Sequence, residues 1–122
     1  MPEINFELPF FPQGLGGNRV GSWRAKMRPA KFYKEDCYEE AFMLQSPFAP
    51  KTRLEAYIDF YPPNNRYDLD NMLRGFKNGL DGICKGIKID DNQIKEMHLR
   101  NMGKDKKPRI LVKLREIVVS EF

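Results

Sequence analysis

Two short acidic stretches carry the residue types most able to do chemistry in this chain: Asp68-Leu69-Asp70-Asn71 and Ile89-Asp90-Asp91-Asn92-Gln93-Ile94. They bracket a segment of helical periodicity, in a chain that is basic overall, with a formal net charge of +4. In an extended segment the i and i+2 side chains share a face, so Asp68 and Asp70 can point together while Leu69 turns inward. If Asp91 returns beside them, three carboxylates converge, and charges that close repel unless a cation lies between them. Hard oxygen donors of this kind suit Mg²⁺, with Mn²⁺ as a substitute, and both ions keep open positions for water and phosphate. Each stretch also has a plain structural use: Asp68 or Asp70 caps a helix, and Asp90-Asp91-Asn92 makes a polar turn. Asp90 can take the place of Asp91, because a turn can rotate either toward the site.

The segment between them must set the spacing. Leu69, Leu73, Phe76, Leu80 and Ile83 fall on one stripe of a 3.6-residue period and predict a helix with that stripe on a core. Gly82 and Gly86 offer places to end it. Gly75 and Gly79 lower helix propensity, so another backbone is expected to lie close to them. Arg74 follows Asp70 by four residues and shares its face. It can clamp a phosphate or stabilise a transition state, or simply pair with Asp70.

The helix start Asp68-Leu69-Asp70-Asn71, followed one helix later by a hydrophobic-Asp-Asp-x-Gln-hydrophobic run, resembles the RusA family of Holliday junction resolvases. Leu8-Pro9, Pro12 and Asn18-Arg19 resemble the family's opening strand and loop, and the length and order of elements agree. The resemblance implies a crossover junction endodeoxyribonuclease acting in DNA recombination and repair. It assigns Asp68, Asp70 and Asp91 as metal-binding catalytic acids, with Mg²⁺ as cofactor. It also implies a homodimer, since resolving a four-way DNA junction takes two opposed nicks and two identical sites related by two-fold symmetry. Two departures stand out: Arg74 occupies the place of the family's catalytic lysine, which Lys77 one turn on could replace, and of the basic residues that commonly precede the acids only Arg66 remains. Tyr67 beside it can stack on a base or cover the core.

The remaining residues narrow the class. With 122 residues, 41% of them hydrophobic and 12% aromatic, the chain suits one globular domain, 1–122. No run is long enough to span a bilayer and no signal-peptide pattern opens it, which predicts a cytoplasmic protein. His98 is the single histidine, which argues against a histidine-based triad or zinc site. Cys37 and Cys84 lack metal-ligand spacing and are expected to be reduced, semi-buried thiols. A pI of about 9.1 permits an anionic partner. The acid-free stretch with Arg19, Arg24, Lys26, Arg28, Lys31, Lys34 and Trp23 is the better candidate for phosphate contact; the late cluster Lys104, Lys106, Lys107 and Arg109 reads as a solvated turn.

Alternating Ile4, Phe6 and Leu8 predict an opening strand, and Gly14-Leu15-Gly16-Gly17 reads as a flexible turn rather than a phosphate loop. Pro29 to Gln45 predicts a helix, Leu54 to Tyr61 a strand, Asn92 to Asn101 a strand with Met97 and Leu99 inward, and Ile110 to Leu114 a last strand. A hairpin is expected to join the final two. The order β-α-β-α-β-β implies an α/β two-layer domain, a mixed sheet of about four strands carrying two main helices. Phe10-Phe11 and the late hairpin are candidate dimer surfaces. The competing function is a noncatalytic nucleic-acid-binding α/β module, in which the acids only cap and turn.

Overall fold

Alternation and helical spacing in the sequence become four strands and two long helices in the computed structural model, which describes residues 2–13, 15 and 23–117, with the α1 side chains from Arg28 onward. In chain order these are β1 (Glu3–Pro9), α1 (Trp23–Phe42), β2 (Leu54–Tyr61), α2 (Leu69–Gly86), a single 3₁₀ turn (Asp91–Gln93), β3 (Ile94–Asn101) and β4 (Arg109–Glu116). The predicted α/β architecture and element order are both present. Helix α1 starts earlier than its periodicity suggested and contains Pro29, whose missing N–H removes one i−4 bond. It stops at Phe42, short of the Ser46-Pro47 step.

The sheet order is β1-β4-β2-β3. Strand β4 is antiparallel to both β1 and β2, while β3 runs parallel to β2. The expected β3–β4 hairpin is therefore absent, because β2 lies between the two strands. The reason is burial: Ile110, Val112 and Leu114 make β4 the stronger apolar alternation and it takes an inner position, whereas β3 carries mostly exposed side chains and takes the edge. The connection crosses the end of β2, where the N–H groups of Met102 and Asp105 donate to the carbonyls of Phe60 (2.8 Å) and Pro62 (2.9 Å).

One face of the sheet is covered. Leu54, Ala56, Ile58 and Phe60 of β2 are fully buried beneath the helices with Ile110 and Leu114, and at about 25 cal/mol per Å² of apolar surface this layer supplies most of the driving force. Met72, Phe76 and Ile83 of α2 face it, but Leu69 is 37% exposed and Leu73 only half-buried. The apolar stripe of α2 is thus turned from the expected one, toward α1. Small residues cause the turn. A Cβ at Gly86 would lie 2.6 Å from the Ala41 Cβ and 2.9 Å from the Tyr38 carbonyl, and one at Gly82 would meet the Lys34 carbonyl. Helix α2 therefore runs through Gly82 instead of ending there, and the close backbone approach falls at Gly82 and Gly86 rather than at Gly75 and Gly79. Those two face side chains, the Phe11 ring and the Tyr33 ring respectively.

Candidate active site

The turn at 62–65 delivers the chain from β2 into the acidic motif. Pro62 is buried, and the Arg66 N–H donates to Asn64 Oδ1 at 2.8 Å. Tyr67 is held next, edge-on to Phe10 and Phe11 with ring centroids 5.2 and 5.8 Å away. Its carbonyl accepts from Asn101 Nδ2 at 3.3 Å. Tyr67 thus covers the core, and Phe10 and Phe11, stacked at 4.2 Å, turn their rings to it; Phe11 is buried. That contact removes Phe10-Phe11 from the candidate dimer surfaces, as the sheet order removes the hairpin.

Asp68 is the N-cap of α2, extended at φ −103° and ψ 166°, with its Oδ1 accepting the Asn71 N–H at 2.9 Å. A carboxylate there lies in the favourable field of the helix dipole, and one capping bond leaves most of its acceptor capacity free. Asp70 stands in the first turn, exposed, with Arg74 NH2 3.2 Å from its Oδ2. Both partners are more than half exposed, so the bridge is weak and the guanidinium is available to another anion. Lys77 is exposed one turn along, and Arg66 is exposed just before the motif.

The second stretch is built differently. Asp90 N-caps the 3₁₀ turn, accepting the Asn92 N–H at 2.9 Å, while its own N–H donates to Gln93 Oε1 at 2.9 Å. Gln93 Nε2 also donates to the Thr52 carbonyl at 3.0 Å, tying the turn to the start of β2. The glutamine of the motif is thus an anchor. Asp90 belongs to the turn and Asp91 projects to solvent.

The two stretches are not together in one chain. Strands β2 and β3 are parallel, so α2 must run the length of the sheet between them. Its 18 residues rise about 27 Å at 1.5 Å each. Asp68 and Asp70 lie at the Tyr61 end of β2 and Asp91 at the Leu54 end, next to Cys84. Burial first, then the charges of Asp91, Asp81 and Asp90, push the Cys84 thiol up to about 12. Burial likewise pushes Cys37 up to about 12; both thiols are free and buried, and at neutral pH they are not nucleophiles. Among the described residues, no three His, Cys, Asp or Glu side chains lie close enough to hold a metal ion. The donor type suits Mg²⁺; a single chain offers it the Asp68–Asp70 pair and no third carboxylate nearby.

Of the expected phosphate contacts, Asn18 and Arg19 lie outside the described residues, as do the side chains of Arg24 and Lys26. Arg28 is exposed on α1. Lys34, by contrast, is tied to Asp81 of α2 at 2.6 Å. Sequence reasoning also missed the ordered polar cluster on the uncovered face of the sheet. There Arg115 donates to Glu55 and, at 2.9 Å, to the Tyr57 hydroxyl; Arg100 holds Asp59 with two 2.8 Å bonds; and Arg109 lies 3.9 Å over the Tyr61 ring. The alternation of Glu55, Tyr57, Asp59 and Tyr61 marked that face, but the partners come from distant strands.

No helix among the described residues is long and apolar enough to cross a membrane. An uncharacterised protein of Xylella fastidiosa (strain Temecula1) is 34% identical over 90 residues, which cover 70% of this chain and 59% of that protein, so the chain spans less than two thirds of that relative's length. The endodeoxyribonuclease RusA family matches residues 24–115, a range that contains both acidic stretches, α2 and three of the four strands. With that match over three quarters of its length, the chain belongs to the RusA endodeoxyribonuclease family.

Proposed function

We propose that this chain is a divalent-metal-dependent endodeoxyribonuclease that resolves four-way DNA junctions by paired symmetric nicks, working as two identical copies, in the cytoplasm. The observation that carries the reading is the placement of Asp68 and Asp70 at one end of α2 and Asp91 at the other. Two copies with antiparallel α2 helices would bring the pair of one against the Asp91 of the other, twice over. Two sites are what a junction of approximate two-fold symmetry needs.

In such a site Asp68, Asp70 and the partner's Asp91 would hold Mg²⁺ or Mn²⁺, which would stabilise charge on the scissile phosphate and lower the pKa of an attacking water. Arg74 sits one turn behind Asp70 and presents a permanently charged fork to the phosphate. It cannot carry a proton, so its part is electrostatic; Lys77 supplies an ammonium beyond it. Arg66 and Arg28, with Asn18, Arg19, Arg24 and Lys26, would contact the backbone of the junction arms.

A second reading has one observation in its favour: Asp68 and Asp90 both have complete capping roles, and one chain holds no three-carboxylate cluster. It makes the protein a noncatalytic nucleic-acid-binding module. The two separate on a labelled synthetic four-way junction and its matched linear duplex, each with Mg²⁺ or with chelator. Symmetric nicks in the junction alone, abolished by chelator, are expected; junction binding without nicking in Mg²⁺ or Mn²⁺ would leave only the second reading.

A further inference from the structure

Strand β3 forms one border of the sheet, with no described strand along its outer side. Eight residues long and free of proline, it offers an unpaired row of backbone N–H and C=O groups. Its helix-facing residues are unfinished. Met97 and Leu99 stand opposite Ala56 and Ile58 of β2, which are fully buried, yet Met97 is 41% exposed and Leu99 half-buried. Leu73 and Leu69 on α2 are likewise incompletely covered. On the open side of the sheet β3 alternates Glu96, His98 and Arg100, of opposite charge at its two ends.

We propose that β3 docks on a second copy of this chain, the two β3 strands pairing antiparallel about a two-fold axis at His98 and joining two sheets into one. The inference rests on the nuclease reading only for its need of two copies. Residue chemistry selects the register. Keeping both helix layers on one side requires the axis to pass through a residue, because neighbouring positions face opposite sides. With the axis at His98, Glu96 lies opposite the partner's Arg100, and Met97 opposite the partner's Leu99, in both directions. Opposite charges and apolar side chains are the cross-strand pairs that stabilise a ladder. An axis at Met97 would instead set Lys95 against the partner's Leu99.

The same register orders the site. Asn101, which bonds the Tyr67 carbonyl at 3.3 Å, comes opposite the partner's Lys95. The partner's Asp91 then lies a few residues away, on the side of Asp68 and Asp70. Helix α2 and its counterpart run antiparallel across the joined sheet, which covers Leu73 and Met97.

Trapping the register tests the surface without reference to cleavage. His98→Cys puts a thiol on the axis, where its two copies fall within the roughly 4.4–6.8 Å between Cα atoms that a disulfide requires. Glu96→Cys is the control, since its copies lie roughly 13 Å apart at 3.3 Å per residue. Cys37 and Cys84 are buried and take no part. Expected are a wild-type dimer in sedimentation at low micromolar concentration, crosslinking of His98→Cys at least tenfold faster than of Glu96→Cys, and at least tenfold weaker dimerisation for Met97→Glu. A monomer at tens of micromolar, or equal crosslinking at the two positions, would overturn the proposal. A dimer trapped at 98 that cuts no junction keeps this surface and removes the nuclease reading, whereas junction cutting without trapping at 98 does the reverse.

Discussion

Asp68 does two jobs that a single substitution can pull apart. Asparagine caps a helix as well as aspartate, so Asp68→Asn should keep the bond to the Asn71 N–H and the fold, while Asp68→Ala should lose about 1 kcal/mol in urea unfolding. If the carboxylates hold the catalytic ion, Asp68→Asn, Asp70→Asn and Asp91→Asn each reduce junction cleavage by about 10² or more, the order seen when a charge-stabilising group is removed. Junction binding by gel shift should persist or improve, since repulsion of the phosphates is reduced. Parallel loss of binding and cutting would point to folding damage instead. At the opposite face, the hydrogen bond from Arg115, with help from Tyr57, holds the Glu55 carboxyl below the usual glutamate range. A depressed folded-state value means that this pairing contributes above the unfolded pKa and is lost as pH falls through the folded one. Melting temperature followed from pH 7 down to 3 should therefore drop more steeply in the wild type than in Glu55→Gln; identical acid limbs would show that the pairing contributes nothing.

Helix α2 owes its position to what it lacks. Glycine at 82 and 86 lets α1 approach to backbone contact, and the helix accepts the lower propensity in exchange for that closeness. Gly82→Ala should destabilise by about 1–3 kcal/mol as the helices are forced apart, despite alanine's higher helix propensity of about 1 kcal/mol. Denaturant midpoints measure this directly, and a stabilised Gly82→Ala would show the interface to be looser than described. The parallel β2-α2-β3 crossover has the larger consequence. It places the start of β3 at the far end of the sheet from the end of β2, so the two acidic stretches are held a helix length apart. No side-chain rearrangement bridges that separation within one chain.

For the whole molecule, a shared site makes a prediction that a site within one chain does not. Asp70→Asn and Asp91→Asn copies, each inactive alone, regain one intact site when mixed: the Asp91→Asn copy contributes Asp68 and Asp70, and the Asp70→Asn copy contributes Asp91. Mixing and re-equilibrating the two should restore nicking to about half the sites, cutting one strand of a junction and not both. Denaturing gels with each strand labelled in turn read this out, and no recovery would exclude sharing between copies. Contacts to phosphate should also make binding fall steeply as salt rises from about 50 to 200 mM.

Local rules made much of this legible before any coordinates. Period-two alternation placed β1, β2 and β4, helical spacing placed α1 and α2, and the residue pattern around Asp68, Asp70 and Asp91 pointed to the family that the comparison then showed. These features depend on neighbours in the chain, which the chain itself supplies. The β3–β4 hairpin, the inward stripe through Leu69, and the meeting of three acids could not be read in the same way. Each depends on which strand wins the interior and how closely α1 can approach α2, a competition for burial among segments distant in sequence. Once β4 took the inner place and β3 paired parallel to β2, the ends of α2 were fixed at opposite sides of the sheet, and with them the acids they carry.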